Sequence, residues 1–249
     1  MPTSVRAAVA ACLSSTVLLA ACGGSGGGGA SASNGSGAPA AAASQVEGLP
    51  AEQVAEKAEA ALKSAKSVHY VVKGTDGGKA LVIDMRVAKD RGALGEITAG
   101  DERLKLVRTG DAVYVTGNEA LLAAASGGKP VAAGKWVKTS DKAPGISGFT
   151  DLADPGKLID QIVKPGQKLS IGTAKTVAGK QTVAVVIGPD ANGRNGGTMY
   201  VSAQGTPYPL LVETAAGDKD QGTVTFSDFD VPVDVEAPAA ADVVTAPTP

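Results

Sequence analysis

The sequence predicts an α+β fold: a strongly curved antiparallel sheet of about ten or eleven strands, forming a half-open barrel covered by two main helices. Three observations carry this. Apolar and polar residues alternate with a period of two in many short runs between Val68 and Phe226. Tight-turn residues separate consecutive runs, which is the mark of an antiparallel meander. Apolar residues recur at helical spacing in only two main places, Pro50 to Ser67 and Phe149 to Val163. So many antiparallel strands must curl.

The first helix starts beside Pro50, whose missing N–H costs least at a helix start. Ala51, Val54, Ala55, Ala58, Leu62 and Ala65 form its apolar stripe, and Glu52, Glu56, Glu59, Lys57, Lys63 and Lys66 its polar face. After Ser67 the period becomes two. Val68, Tyr70 and Val72 alternate with His69 and Lys73 up to a turn at Asp76-Gly77-Gly78. Leu81, Ile83, Met85 and Val87 follow, then Leu94 to Thr98, Leu104 with Leu106, Val113-Tyr114-Val115, and Lys135-Trp136-Val137-Lys138. Asp154-Pro155 is an N-cap with a first-turn proline. Behind it Leu158, Ile159, Ile162 and Val163 form a second stripe, ended by Pro165-Gly166. Strands resume with Leu169 and Ile171, with Val183, Val185 and Ile187 after the turn at Ala178-Gly179, and with Met199, Val201 and Ala203 after a loop at Asn192-Gly193 to Gly197. Leu210, Val212 and Thr214, then Val224 and Phe226, complete the series.

The chain reads in four parts. Residues 1–21 have the build of an export signal, with Arg6 as the n-region charge and an apolar stretch too short to span a ~30 Å hydrocarbon core as a helix. Leu19-Ala20-Ala21-Cys22 followed by Gly23-Gly24-Ser25 is a lipobox, so the Cys22 thiol is expected to carry diacylglycerol. An ordinary signal cut near the same alanines is the plainer alternative. Residues 22–45, nearly all Gly, Ser and Ala, read as a flexible tether with a reach of roughly 25–30 Å. Residues 46–236 form one domain, and residues 237–249, with Pro238, Pro247 and Pro249, read as a disordered tail. The expected location is the extracytoplasmic face of the plasma membrane. Two acyl chains anchor far more firmly than one.

Composition excludes several classes of function. With Arg6 the one charge in residues 1–21, the rest carries 22 Lys+Arg against 25 Asp+Glu, a balance of −3 that gives no reason to expect nucleic acid. Cys12 falls in the signal and Cys22 is taken by lipid, so the domain has no thiol for disulfides, catalysis or metal. The one histidine, His69, leaves little material for a metal cluster or a Ser-His-Asp triad, and reads as a rim or surface residue. Gly127-Gly128-Lys129 lacks the Ser/Thr and the first Gly of a phosphate loop. Asp151, Asp154 and Asp160 read as cap and solvated residues around the second helix. No cofactor, metal or enzymatic activity is expected. The abundance of glycine and scarcity of aromatics (33 Gly, 3% aromatic) fit either a GC-rich genome or a hollow interior. Trp136 fits either a cavity or membrane-facing wall or a sheet–helix contact.

Several small motifs, taken in order, resemble the LppX/LprG family of actinobacterial lipoproteins. They are the lipobox, Ser64-Ala65-Lys66-Ser67-Val68-His69, Val113-Tyr114-Val115, Lys135-Trp136-Val137, the helix around Leu158-Ile159, Gly205-Thr206-Pro207-Tyr208-Pro209-Leu210 and Val224-Thr225-Phe226-Ser227-Asp228-Phe229. The resemblance covers residues 46–245 and implies a LolA-like half-barrel. It also implies a hydrophobic cavity that takes the acyl chains of a lipid or glycolipid and carries or presents it in the cell envelope. On that reading the interior is expected to be lined by Leu81, Ile83, Met85, Leu104, Leu106, Leu158, Ile162, Val183 and Val185. The alternative is a module with the same fold and no lipid cargo that binds or senses other envelope proteins.

Overall fold

A computed structural model describes residues 44–76, 78–140, 151–191, 193, 196–215 and 221–245. The expected signal, Cys22, most of the tether, Gly77, Phe149, Asn192 and the last four residues lie outside them. Helix α1 (Ala51–Ser64) comes first. Six strands follow: β1 (Ser67–Asp76), β2 (Lys79–Ala88), β3 (Gly92–Ala99), β4 (Glu102–Thr109), β5 (Ala112–Gly117) and, after helix α2 (Glu119–Ala125), β6 (Trp136–Ser140). Helix α3 (Pro155–Ile162) then precedes β7 (Leu169–Ile171), β8 (Thr176–Val177), β9 (Lys180–Ile187), β10 (Gly197–Ser202), β11 (Pro209–Thr214) and β12 (Thr223–Ser227). A 3-10 turn (Ala240–Asp242) leads into β13 (Val243–Thr245).

All but β8 lie on one path, β13-β6-β5-β4-β3-β2-β1-β12-β11-β10-β9-β7, with β8 paired to β9. The described sheet therefore has two ends, β13 and β7, and is an open half-barrel. Every pairing is antiparallel except β13 with β6. The 13 strands exceed the expected ten or eleven by short pieces that carry little periodicity, β8 and β13.

Register explains the core. Tyr70 faces Met85, which faces Gly95, then Leu106, Val115 and Val137. One step along the strands, Val185, Met199, Val212, Val224, Val72, Ile83, Ile97 and Leu104 make a second continuous row. These residues share the concave face because strand side chains alternate. Helix α1 lays Val54, Ala58 and Leu62 against this face, where they are almost fully buried. In α3, Asp154 caps the first turn, its Oδ1 accepting from the amides of Gly156 at 2.9 Å and Lys157 at 3.4 Å. The stripe of α3 buries Leu158 and Ile159. Tyr70, fully buried, donates its hydroxyl to the carbonyl of Leu152, tying the approach to α3 down onto the sheet. Burial, then the charge of Asp154, holds the Tyr70 phenol well above its ordinary range, so it stays a donor.

Sequence pattern alone gave no signal for two features. Helix α2 is a seven-residue Ala/Leu run without a polar face to mark it. The expected tail at 237–249 contains, in its described part, β13, because Val243 and Val244 supply β-branched residues to the free edge of β6. Lys135 secures that return through Asp242 at 2.9 Å and the carbonyl of Ala241 at 3.0 Å.

A polar clamp joins the end of β12 to the α1–β1 bend. Asp230, at φ +62°, accepts from the Lys66 amide at 2.7 Å and from the Tyr208 hydroxyl at 2.7 Å, and Tyr208 stacks on Phe229 at 3.9 Å. The Tyr208 hydrogen bond, then the Lys66 amide, lower the pKa of the Asp230 carboxyl below the usual 3.8. Burial and Asp230 push the Tyr208 phenol up to about 12. A lowered carboxyl pKa stabilises the fold above the unfolded value and loses that contribution as pH falls through the folded value. Asp230→Ala should therefore cost about 1 kcal/mol at pH 7, an exposed carboxylate being partly repaid by water. The difference between variant and parent should shrink below about pH 4. Urea unfolding at pH 7 and pH 3 measures both.

Candidate ligand-binding site

The apolar space that side chains leave open lies at one end of the concave face. Moving along β1 toward its C-terminus, the inward positions run Val68, Tyr70, Val72 and Gly74, so the row that would roof this end has no side chain on β1. The neighbours repeat the omission. Gly222 and Gly197 line the same end. A Cβ at Gly222 would fall 2.7 Å from the Lys73 carbonyl oxygen, and one at Gly197 2.4 Å from that of Glu213. The adjacent backbones pass too closely for a side chain, and the rim stays unfilled.

The result is a cavity of about 250 Å³ between the C-terminal end of α3 and the sheet. Its apolar walls are Val72, Leu81, Ile162, Ile187, Val212 and Val224. Thr75, Gln161, Thr214 and Thr223 stand at its border. Lys73 and Glu213 also border it, Glu213 paired with Lys175 at 2.7 Å; at the apolar walls the available chemistry is removal of hydrocarbon from water, worth ~0.8 kcal/mol per methylene.

The structure distributes the expected lining residues unevenly. Leu81 and Ile162 line this cavity, both half-buried. Ile83, Met85, Leu104, Leu106, Leu158 and Val185 lie deeper, in the packed core, at 9% exposure or less. There the space is taken by protein: the Met85 sulfur lies 2.2 Å from where a Cβ on Gly95 would stand, and Tyr70, Leu106 and Met199 are sealed beside it. Val183 is half-buried and borders a separate depression at the β7–β9 edge with Leu49 and Ile171. Sequence reasoning missed Val72, Ile187, Val212 and Val224. Their alternation marks them as inward, but only the register shows that they meet Leu81 and Ile162.

Polar chemistry elsewhere is sparse. His69 lies on the convex face, its Nε2 2.8 Å from Asp84 Oδ1 and its Nδ1 3.2 Å from Ser227 Oγ. Three residue types of a hydrolytic triad thus meet. However, Nδ1 also lies 3.4 Å from Asp228 Oδ2, so both ring nitrogens face carboxylates and the serine sits on Nδ1, whereas a triad serine sits on Nε2. Trp136 is also on the convex side, half-buried in a groove with Val82, Leu94 and Val107 and away from the concave core. Among the described residues, no group of three His, Cys, Asp or Glu side chains could hold a metal ion, and no helix is long and apolar enough to cross a membrane.

The described residues thus form an open antiparallel half-barrel with helices across its concave face and an apolar cavity at one end of α3. Among solved structures, LprF from Mycobacterium bovis is similar in fold: TM-score 0.51 at 17% identity, covering 76% of this chain and 97% of that one. An uncharacterized conserved protein from Thermus thermophilus aligns at TM-score 0.41 and 11% identity, over 78% and 98% of the two chains. The LolA superfamily protein NE2245 from Nitrosomonas europaea aligns at 0.27 and 9%, over 74% and 94%. No protein-family model and no curated protein matches the sequence. The likeness to LprF shows the fold.

Tyr70→Phe keeps the ring and strands the Leu152 carbonyl. It should cost about 1–2 kcal/mol and loosen α3 before the rest of the domain. Amide hydrogen exchange should show residues 156–162 losing protection while β2 to β4 keep theirs.

Proposed function

We propose that this chain is a lipid-anchored, extracytoplasmic member of the LppX/LprG-type lipoproteins, binding an acyl chain of a lipid or glycolipid at the mouth of its half-barrel. The observation that carries this is the apolar cavity between α3 and the glycine-lined rim, open where the rest of the interior is packed. Its volume of about 250 Å³ lies just below the usual ~300–1,000 Å³ of small-molecule pockets. It therefore suits the end of one chain, with the remainder of the lipid outside. The LprF-like fold and the lipobox at Leu19-Ala20-Ala21-Cys22 support the same reading. Its action is binding and presentation, with no bond made or broken.

A chain beginning at Gln45 retains every residue of the buried cluster, which starts at Val46 and ends at Phe226. Purified from its own host, it should carry an acyl lipid detectable by native mass spectrometry. Leu81→Trp would fill the cavity and should abolish that adduct while the melting temperature stays within a few degrees. Repeated recovery of empty parent protein, or an unchanged adduct in Leu81→Trp, would overturn the proposal.

The packed interior also favours a second reading, a protein-binding module with no cargo. It expects a partner whose capture survives Leu81→Trp. The anchor is tested apart from both: labelled palmitate should enter the full chain and be lost in Cys22→Ser.

A further inference from the structure

At the opposite end of α3 the concave face carries a cation where its pattern calls for an apolar residue. In β4 the inward positions are Leu104, Leu106 and Arg108. Arg108 pairs with Ala93 on one side and Val113 on the other, both fully buried. Its side chain thus leaves the sheet from the inner face, and it is only half-exposed. Among the described residues no carboxylate forms an ion pair with it. A half-buried guanidinium in that position calls for an anion.

The space around it is a cleft of about 500 Å³, bordered by Lys63, Lys89, Arg91 and the first turn of α3 at Gly156. The other charges sort themselves. Lys63 is held by Glu59 at 2.5 Å and Asp160 at 3.1 Å, and Arg91 faces Asp234 at 3.7 Å. Asp154 is spent on the α3 amides. Lys89 Nζ donates to the Lys63 carbonyl at 3.3 Å. Asp90 and Asp111 also border the cleft as exposed turn residues, and Lys89 is equally exposed, so water weakens all three charges and half-buried Arg108 dominates. Among the described residues, Arg108 and Lys89 remain as cations without a carboxylate partner.

The geometry points to a phosphate-binding site at Arg108 and Lys89, at the other end of α3 from the acyl cavity and independent of it. The guanidinium fork matches two phosphate oxygens and the ammonium supplies a point charge. The phosphate could belong to free anion or to a lipid headgroup, and the two sources are separable by experiment.

Amide chemical shifts of the chain from Gln45 are followed during titration with inorganic phosphate and, separately, with dihexanoyl phosphatidic acid. Shifts are expected at Gly92, Arg108 and Gly156. Arg108→Met should weaken binding about tenfold, the loss of one charge-assisted contact. Binding of both probes assigns free phosphate as a sufficient ligand, and binding of phosphatidic acid alone assigns a lipid headgroup. Either supports the site. No shift with either probe, or unchanged affinity in Arg108→Met, overturns it. Should Arg108→Met not fold, Lys89→Met, at an exposed position, is expected to weaken binding about threefold, and unchanged affinity there overturns the site equally. An empty acyl cavity would leave this result untouched.

Discussion

A sheet this long has one apolar face, and covering that face is the constraint from which the rest of the structure follows. Rows of inward side chains run unbroken from Val185 on β9 to Leu104 on β4. Curling brings the two ends of such a row toward each other, yet the path from β13 to β7 does not close. Helices must therefore cover what strands cannot. The α1 helix does so with an alanine-rich stripe, and small residues let it approach the sheet closely. The α3 helix has only eight residues, about 12 Å, and cannot cover both ends of the face. One cavity opens at each of its ends, and their chemistry differs because the sheet residues beneath them differ.

At the C-terminal end of α3 the inward residues are valines, leucine and glycine. The glycines are there because neighbouring backbones crowd Gly197 and Gly222, a requirement of strand packing. The apolar opening is thus a by-product of how β1, β12, β11 and β10 meet, with polar side chains at its border. At the N-terminal end, Arg108 replaces the apolar residue that Leu104 and Leu106 lead one to expect, and the opening is charged. The same alternation that builds the core therefore places a guanidinium on its border.

Much of this was legible in the sequence, for physical reasons that also mark where reading stops. Periodicity located α1, the meander from β1 to β6 and the Asp154 cap, because each depends on neighbours a few residues apart. It assigned Leu81 and Ile83 to one face correctly but could not say that two residues of strand separate a cavity wall from the sealed core. That depends on where α3 ends. Tyr70 looked like one more inward strand residue, and its bond to Leu152 spans 82 positions. Asp230 carried no signal in the sequence, and its clamp to Lys66 spans 164. Helix α2 and strand β13 are too short to show a period, and β13 forms on the free edge of β6.

The same magnitudes bear on how deep a ligand can enter. Two things hold α3 and its approach on the sheet: the burial of Leu158 and Ile159, and the Tyr70 hydroxyl, worth about 1 kcal/mol net, with the Lys63–Asp160 pair adding little at the surface. Each methylene taken from water returns ~0.8 kcal/mol, so one or two offset the loss of that bond. A chain confined to the mouth leaves the lid in place. On the proposed reading, a longer chain would have to exchange the contacts of Leu158 and Ile159 for contacts with hydrocarbon, at little cost in buried apolar area. Met85, unbranched and soft, is the core residue best able to make way over Gly95. On that reading occupancy should deepen with chain length, because hydrocarbon would compete with side chains for the same packed face.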